Sequence, residues 1–240
     1  MIQILNIPGS YQLPDNINDC DNAARFDYIY DTGLWGAGAN NESLSGSGST
    51  IENSKLYLKQ LNQYFDEYKK LNNKEQIKFF DAPCGDLNWV KNTIQQLAYI
   101  GGDISQNLIA DLQKKFISID LRVFDIIIDQ FPEADIWHCR HCHFHLSLSD
   151  IAKSLENFCQ SNIETALLTN HFLPDRVTFD IPTGSFRFLD LTNFPFYLPK
   201  PQVWLLDSNP LSGKVSVATG VWTKSHIKVG VENYRKLVGV

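Results

Sequence analysis

The sequence predicts an α/β fold in which a mostly parallel sheet carries helices on both faces. From Ile77 onward, short apolar runs alternate with longer amphipathic stretches, the pattern of repeated strand-helix units. Three successive runs each close on an aspartate, Asp81, Asp103 and Asp125. The last two runs, VWLLD and VATGVWTKSHI, are joined by the turn residues SNPLSGK, which predicts an antiparallel hairpin at the sheet edge.

Each element has its own local signal. The first forty-odd residues are polar, aromatic and glycine-rich and end in DTGLWGAGANNESLSGSGST, where Trp35 sits among the glycines. Ser49 and Glu52 have capping-box spacing ahead of the helical stretch KLYLKQLNQYFDEYKKL. IKFFDAPCGD reads as a buried strand entering a tight turn, and LNWVKNTIQQL reads as a helix. AYIGGD is a second strand, and Ser105 caps the helix QNLIADLQKKF. LRVFDI and ADIWHCR supply the third and fourth strands, SLSDIAKSLENFC a helix and ETALLTNHF a fifth strand. The Pro-, Phe- and Asp-rich stretch that follows breaks the pattern. The expected organisation is an N-terminal covering segment and helix over residues 1–72, and a core over 73–240 with a substrate-side insertion at 173–202.

Composition narrows the function classes. A chain of 240 residues, 43% hydrophobic and 20% charged, is an ordinary globular protein large enough to close an apolar core. A net charge of −6 argues against a phosphate-dominated nucleic-acid binder. The N-terminus MIQILNIPGSYQLPDN lacks the basic flank of a secretory signal, and no apolar run is long enough to span a bilayer. Five cysteines without framework-like spacing suggest reduced thiols. The expectation is a cytoplasmic enzyme with no membrane or nucleic-acid partner, acting on a small molecule.

In an open parallel sheet, ligands sit beyond the carboxyl ends of the strands where strand order reverses. Asp81 leads into Cys84 and Gly85, where a missing side chain lets a ligand approach backbone N–H groups. Asp103, at the end of the second strand, is placed to accept ribose hydroxyls, and Asp125 to accept an adenine amine. A pyrophosphate cofactor favours GxGxxG after the first strand, whereas DAPCGD has one glycine and an added carboxylate. An NAD(P)-dependent oxidoreductase is therefore the weaker reading.

These stretches resemble the class I S-adenosylmethionine-dependent methyltransferases, in particular a short bacterial-type subgroup. The resemblance rests on YDTGLWGAG with SGSGSTIE, FFDAPCGDLNWV, YIGGDIS, the residues around Asp125, ADIWHCRHCHFHLS, and DIPTGSFRFLDL with ATGVW. It implies a Rossmann-like three-layer α/β/α sandwich whose seven-stranded sheet has an antiparallel last strand. It also implies that Asp81, Ala82, Pro83, Gly85 and Asp86 surround the methionine moiety of S-adenosyl-L-methionine. Asp103 and Ile104 would then meet the ribose and Asp125 and Ile126 the adenine, with Trp35, Gly36 and Ser49 covering the cofactor and Arg140 beside it. Where the family reads CRD, this chain reads Cys139-Arg140-His141, so the carboxylate is lost while His145 is retained.

Methyl transfer demands alignment and exclusion of water more than covalent machinery. A hydroxyl acceptor also needs a base, and His141 and His145, just past the fourth strand, are the catalytic candidates. Tyr30, Arg187, Tyr197 and the phenylalanines of the insertion are candidate walls of the acceptor pocket, with an apolar cluster packing the sheet edge as the alternative for the insertion residues. The run His138 to His145 also invites a zinc reading, but strand side chains alternate between faces, so no bound metal is expected. The reading is O-methylation of a small polar acceptor, such as a sugar or surface-glycan precursor, with a non-catalytic zinc- or nucleotide-binding module as a further alternative.

Overall fold

The computed structural model describes residues 13–14, 17, 19–36, 42–94, 97–172, 178–207 and 216–239. Seven strands form one sheet: β1 (Lys78–Asp81), β2 (Ala98–Asp103), β3 (Asp120–Val123), β4 (Ile136–Cys139), β5 (Thr165–His171), β6 (Val203–Leu206) and β7 (Val217–Thr223). Their order is β3-β2-β1-β4-β5-β7-β6. β7 runs antiparallel to both of its neighbours, and the pairings from β3 through β5 are all parallel. The seven-stranded, mostly parallel α/β sandwich expected from the sequence is therefore present, with the order reversing between β1 and β4.

Strand alternation sorts the core into two layers. Phe79, Ile136, Leu167 and Val221 face one side, while Phe80, Trp137, Ala166 and Leu168 face the other. The first side receives α2 (Ile51–Asn72) through Tyr57, Leu61 and Phe65, and α3 (Gln106–Lys115) through Leu108 and Leu112. The second receives α4 (Leu148–Gln160) through Ile151, Leu155 and Phe158, and α5 (Lys224–Val238) through Ile227 and Val231. Each contact repeats at three- or four-residue spacing, the condition for one helical stripe to face the sheet.

Four local expectations need correction. The stretch LNWVKNTIQQL is not a helix: through Ile94 it forms successive turns, starting from Leu87 at φ +60° and burying Trp89 and Val90, while residues 95–96 lie outside the described residues. α2 is capped by Thr50, whose hydroxyl accepts from the Asn53 amide, so the cap lies one residue past Ser49. Asp125 lies two positions beyond the end of β3. The last strand stops at Thr223, whose hydroxyl caps α5, so TKSHI opens a helix and does not extend the hairpin. The turn residues Ser208 to Lys214 lie outside the described residues.

The N-terminal segment also holds a helix with no strong sequence signal, α1 (Asn22–Thr32). Asp21 caps its start by accepting from Ala24, and Gly33 ends it at φ +61°. The segment 178–202 contains no helix or strand, yet Leu189, Leu191, Phe196 and Leu198 are buried within it. Its backbone bonds to the turn after β4, with Gly184 N donating to His145 O and Arg187 N to Phe144 O. It thus lies against the carboxyl end of the sheet. Among the described residues, no helix is long and apolar enough to cross a membrane.

Trp137 anchors the second of the two layers: it is fully buried between Phe131 and Phe158, and its indole N–H donates to Ala82 O at 2.9 Å. Trp137→Ala is expected to cost about 3–5 kcal/mol, measured by urea unfolding. A loss below about 1 kcal/mol would show that the site collapses around the missing ring.

Candidate active site

A cavity of about 540 Å³ opens beyond the carboxyl ends of β1, β2 and β4, where strand order reverses. α1 and the glycine-rich turn Ser45–Ser49 wall its other side. The site residues expected from the sequence that line it are Tyr30, Trp35, Ser49, Pro83, Gly85 and Asp103. Ile104, Asp125, Ile126, Arg140, His141 and His145 complete that group.

The turn after β1 explains one end of the cavity. Gly85 sits at φ +56°, and a Cβ there would lie 2.4 Å from Ser45 Oγ, so both conformation and space require glycine. Asp86 staples this turn to the glycine-rich segment: its amide donates to Ser45 Oγ, and its carboxylate accepts from the Leu44 and Asn88 amides. Asp103 accepts from Gly85 N at 3.1 Å, from Ser105 N at 3.1 Å and from the Tyr30 hydroxyl at 3.4 Å. Burial pushes its carboxyl up to about 6 despite these bonds. Ile104, Phe124, Ile126 and Ile127 form an apolar slot beside Asp125, one of whose oxygens accepts from Ile127 N.

The other end is aromatic. Trp35 stacks on His145 at 4.7 Å, and Phe144, His171 and Phe186 continue the wall. Burial lowers the imidazoles of His145 to about 3 and His171 to about 4, so both are neutral near pH 7. Between the two ends, Arg140 grips Asp207 with Nε at 2.8 Å and Nη2 at 2.6 Å, and Nη2 also donates to Gly48 O. His141 Nε2 lies 2.9 Å from the same carboxylate. Burial alone would raise the Asp207 carboxyl, but Arg140 and His141 outweigh it and hold it well below the usual carboxylate range.

Six of the expected site residues lie outside the cavity wall. Asp81 is buried beneath it with both oxygens engaged, one by His138 Nδ1 and one by the Tyr99 hydroxyl, each at 2.6 Å. Ala82 is buried with its carbonyl on Trp137. Gly36 continues the turn after α1, donating to Gly33 O, and Asp86 is consumed by its staple. Arg187 was expected at the acceptor wall; its guanidinium is instead fully buried, donating to Leu146 O, and burial pulls it down to about 10. Tyr197 is half exposed, with its ring against Phe194.

Conversely, His171 and Phe144 line the cavity, and Asp207 holds two of its residues, without standing among the expected site residues, while Phe186 is one of the insertion phenylalanines expected as a wall. Asp207 carried a usable signal, since it closes the strand VWLLD as Asp81 and Asp103 close theirs. His171 carried one too, since it closes the strand ETALLTNHF, whereas Phe144 lies in the turn after β4, which has no period to read. The His138–His145 run fans out: His138 bonds Tyr57 and Asp81, His141 bonds Asp207, and His143 bonds Ser154. Among the described residues, no group of three or more His, Cys, Asp or Glu side chains is placed to hold a metal.

No protein-family profile and no curated protein matches the sequence. Solved structures do resemble the fold. A 1,6-didemethyltoxoflavin-N1-methyltransferase from Burkholderia thailandensis, with 1,6-didemethyltoxoflavin and S-adenosylhomocysteine bound, superposes with a TM-score of 0.59 over 90% of this chain and 93% of its own, at 9% identity. Magnesium protoporphyrin IX methyltransferase from Synechocystis PCC 6803, with bound SAM, gives 0.55 over 85% and 98%, at 14% identity. The fold is the class I methyltransferase fold. Within it, the cavity occupies the end of the sheet where β1 and β4 part.

The buried imidazoles set an acid limit on stability. His143 and His145, lowered to about 3, and His171, lowered to about 4, stay neutral in the fold while the unfolded chain takes up protons near pH 6.5. Stability is therefore full above that pH and falls below it, by about 1.4 kcal/mol per pH unit for each imidazole between pH 6 and 4. Urea unfolding at pH 7, 6 and 5 measures this, and a flat profile would mean that the rings take up protons in the folded protein as readily as in the unfolded chain.

Proposed function

We propose that this chain is an S-adenosylmethionine-dependent methyltransferase that methylates a hydroxyl on a small, ring-bearing acceptor. The observation that carries the reading is Asp103, a buried carboxylate at the end of β2 facing the cavity. A carboxylate has about four acceptor sites. Backbone amides take two of them, and the Tyr30 hydroxyl makes only a 3.4 Å contact that a ribose hydroxyl would replace. The donor set fits adenosine, with Asp103 at the ribose and Asp125 at the adenine between Ile104, Phe124 and Ile126. The Cys84–Gly85 turn, whose Pro83 also lines the cavity, would take the methionine end, under Trp35 and Ser49. The acidic residues around DAPCGD suit a cationic sulfonium and oppose a pyrophosphate, which disfavours NAD(P).

S-adenosylmethionine supplies a methyl carbon activated by positive sulfur, so an acceptor oxygen forms the new C–O bond as the old S–C electron pair leaves with sulfur. The chain's contribution is alignment, exclusion of water and removal of the hydroxyl proton. His141 fits the last task better than His145. The His145 ring is stacked on Trp35 with Phe144 tilted against it, its Nδ1 is engaged by Ser185 O, and its low basicity suits a wall. His141 is held by Asp207 and its side chain keeps about a fifth of its surface exposed. The aromatic, uncharged far end suits a flat or ring-shaped neutral molecule, and a sugar or surface-glycan precursor is one such acceptor.

Isothermal titration is expected to show S-adenosylhomocysteine binding, at least about tenfold weaker in Asp103→Ala, because charge-assisted hydrogen bonds contribute roughly 1.5–3 kcal/mol. NADH is expected to give no binding heat. Binding of NADH without S-adenosylhomocysteine would overturn the reading.

A further inference from the structure

The turn after β4 holds His141 from three directions. Its backbone sits at φ +55°, a region that side chains other than glycine enter only when surrounding contacts enforce it. Its amide donates to Thr169 Oγ1 at 2.9 Å, anchoring the turn to β5. Its ring Nε2 meets Asp207 Oδ2 at 2.9 Å. Asp207 is nearly inaccessible, and the Arg140 fork binds both of its oxygens, so the carboxylate cannot swing away.

The opposite edge of the ring faces Gly48. A Cβ at that position would stand 2.6 Å from both Nδ1 and Cε1, so the glycine-rich turn packs closely on this edge and only a residue without a side chain leaves the ring its place. Gly48 and His141 both line the cavity. An ionised carboxylate only accepts hydrogen bonds, so the nitrogen facing Asp207 must carry the proton. The other nitrogen of a neutral imidazole is then an acceptor. Arg140 supplies the charge that keeps Asp207 ionised, and its guanidinium is fixed in turn over the Tyr57 and Trp89 rings at 5.0 and 5.1 Å.

We propose that Asp207 is the positioning residue for His141: it holds the imidazole as the Nε2–H tautomer and turns Nδ1, beside Gly48, toward the acceptor as the proton-accepting atom. The proposal rests on the methyl-transfer reading above. The proton of an acceptor hydroxyl passes to Nδ1 as the oxygen forms its bond to the transferred carbon. The imidazolium so formed is balanced by the Asp207 charge and releases its proton to water after the product leaves. β6 thereby provides in space the carboxylate that the resembling family carries in sequence directly after the arginine.

The test is two-bond proton–nitrogen NMR on protein with 15N-labelled histidine, with and without S-adenosylhomocysteine, the His141 signals being assigned by their loss in His141→Gln. The expected spectrum at neutral pH shows His141 with a protonated Nε2 and a bare Nδ1, the tautomer becoming mixed in Asp207→Asn and recovering in Asp207→Glu. Because Asp207→Asn also strips Arg140 of its counter-ion, the wild-type spectrum decides on its own. A proton on Nδ1 in the wild type, with S-adenosylhomocysteine still bound, overturns the role of Asp207 while leaving methyl transfer standing. Absence of S-adenosylhomocysteine binding by calorimetry overturns the methyl-transfer reading, and the catalytic part of this proposal with it.

Discussion

A guanidinium and a carboxylate, both almost shielded from water, fix the floor of the cleft. Arg140 leaves the end of β4 and Asp207 the end of β6, strands separated in the sheet by β5 and β7. Their two-pronged contact bridges that gap, and the same guanidinium reaches Gly48 O in the glycine-rich turn. One side chain thus ties sheet and covering segment together. Isolated burial of either charge would be prohibitive, and breaking such a pair by removing one partner typically costs about 3–5 kcal/mol. The pair is therefore worth keeping for the geometry it imposes, since a well-packed apolar replacement would often serve stability as well.

A second buried system supports the first from beneath. Tyr99, Asp81, His138 and Tyr57 form a continuous hydrogen-bonded chain across β2, β1, β4 and α2, and the Tyr57 ring lies under Arg140. Asp81 belongs to this support and not to the cavity wall, although its motif drew attention to it. Asp103 has the opposite character. It is nearly as buried, yet its carboxyl is pushed up to about 6, so keeping it ionised at neutral pH costs the fold energy. A strand-end carboxylate held against its preference is what the proposed ribose contact calls for.

The sheet was legible because each strand combines an apolar run with an aspartate or turn at its end, and parallel pairing follows from the intervening helices. What failed did so for identifiable reasons. LNWVKNTIQQL has helical spacing, but Trp89 packs against Tyr57 and His138, and Leu87 is driven into the left-handed region, so tertiary contact overrode local preference. α5 was masked by the β-branched run ahead of it, although Ile227, Val231 and Tyr234 already had the spacing of a buried helical stripe. The Asp103 and Asp125 side of the site was readable from strand ends. The far side was readable only in part: His171 ends β5, but which of the insertion phenylalanines reaches the cavity is set by an irregular segment with no period to read.

His141 is where the motif of the resembling family and the surroundings of the side chain differ most. Reading along the chain, the motif has lost its acid after Arg140. In space, a carboxylate from β6 stands beside the same turn, and the side chain now at that position is an imidazole bonded to it. A carboxylate next to Arg140 would be a weak base, since the guanidinium stabilises its charged form. An imidazole there is kept neutral by burial and by the same guanidinium, while Asp207 is placed to favour the cation once a proton arrives. On the proposed mechanism, moving the acid one step away and inserting a histidine would exchange a poor proton acceptor for one whose basicity the surrounding charges can set. It would also make the orientation of that base depend on the pairing of β6 with β7, far along the chain from the motif itself.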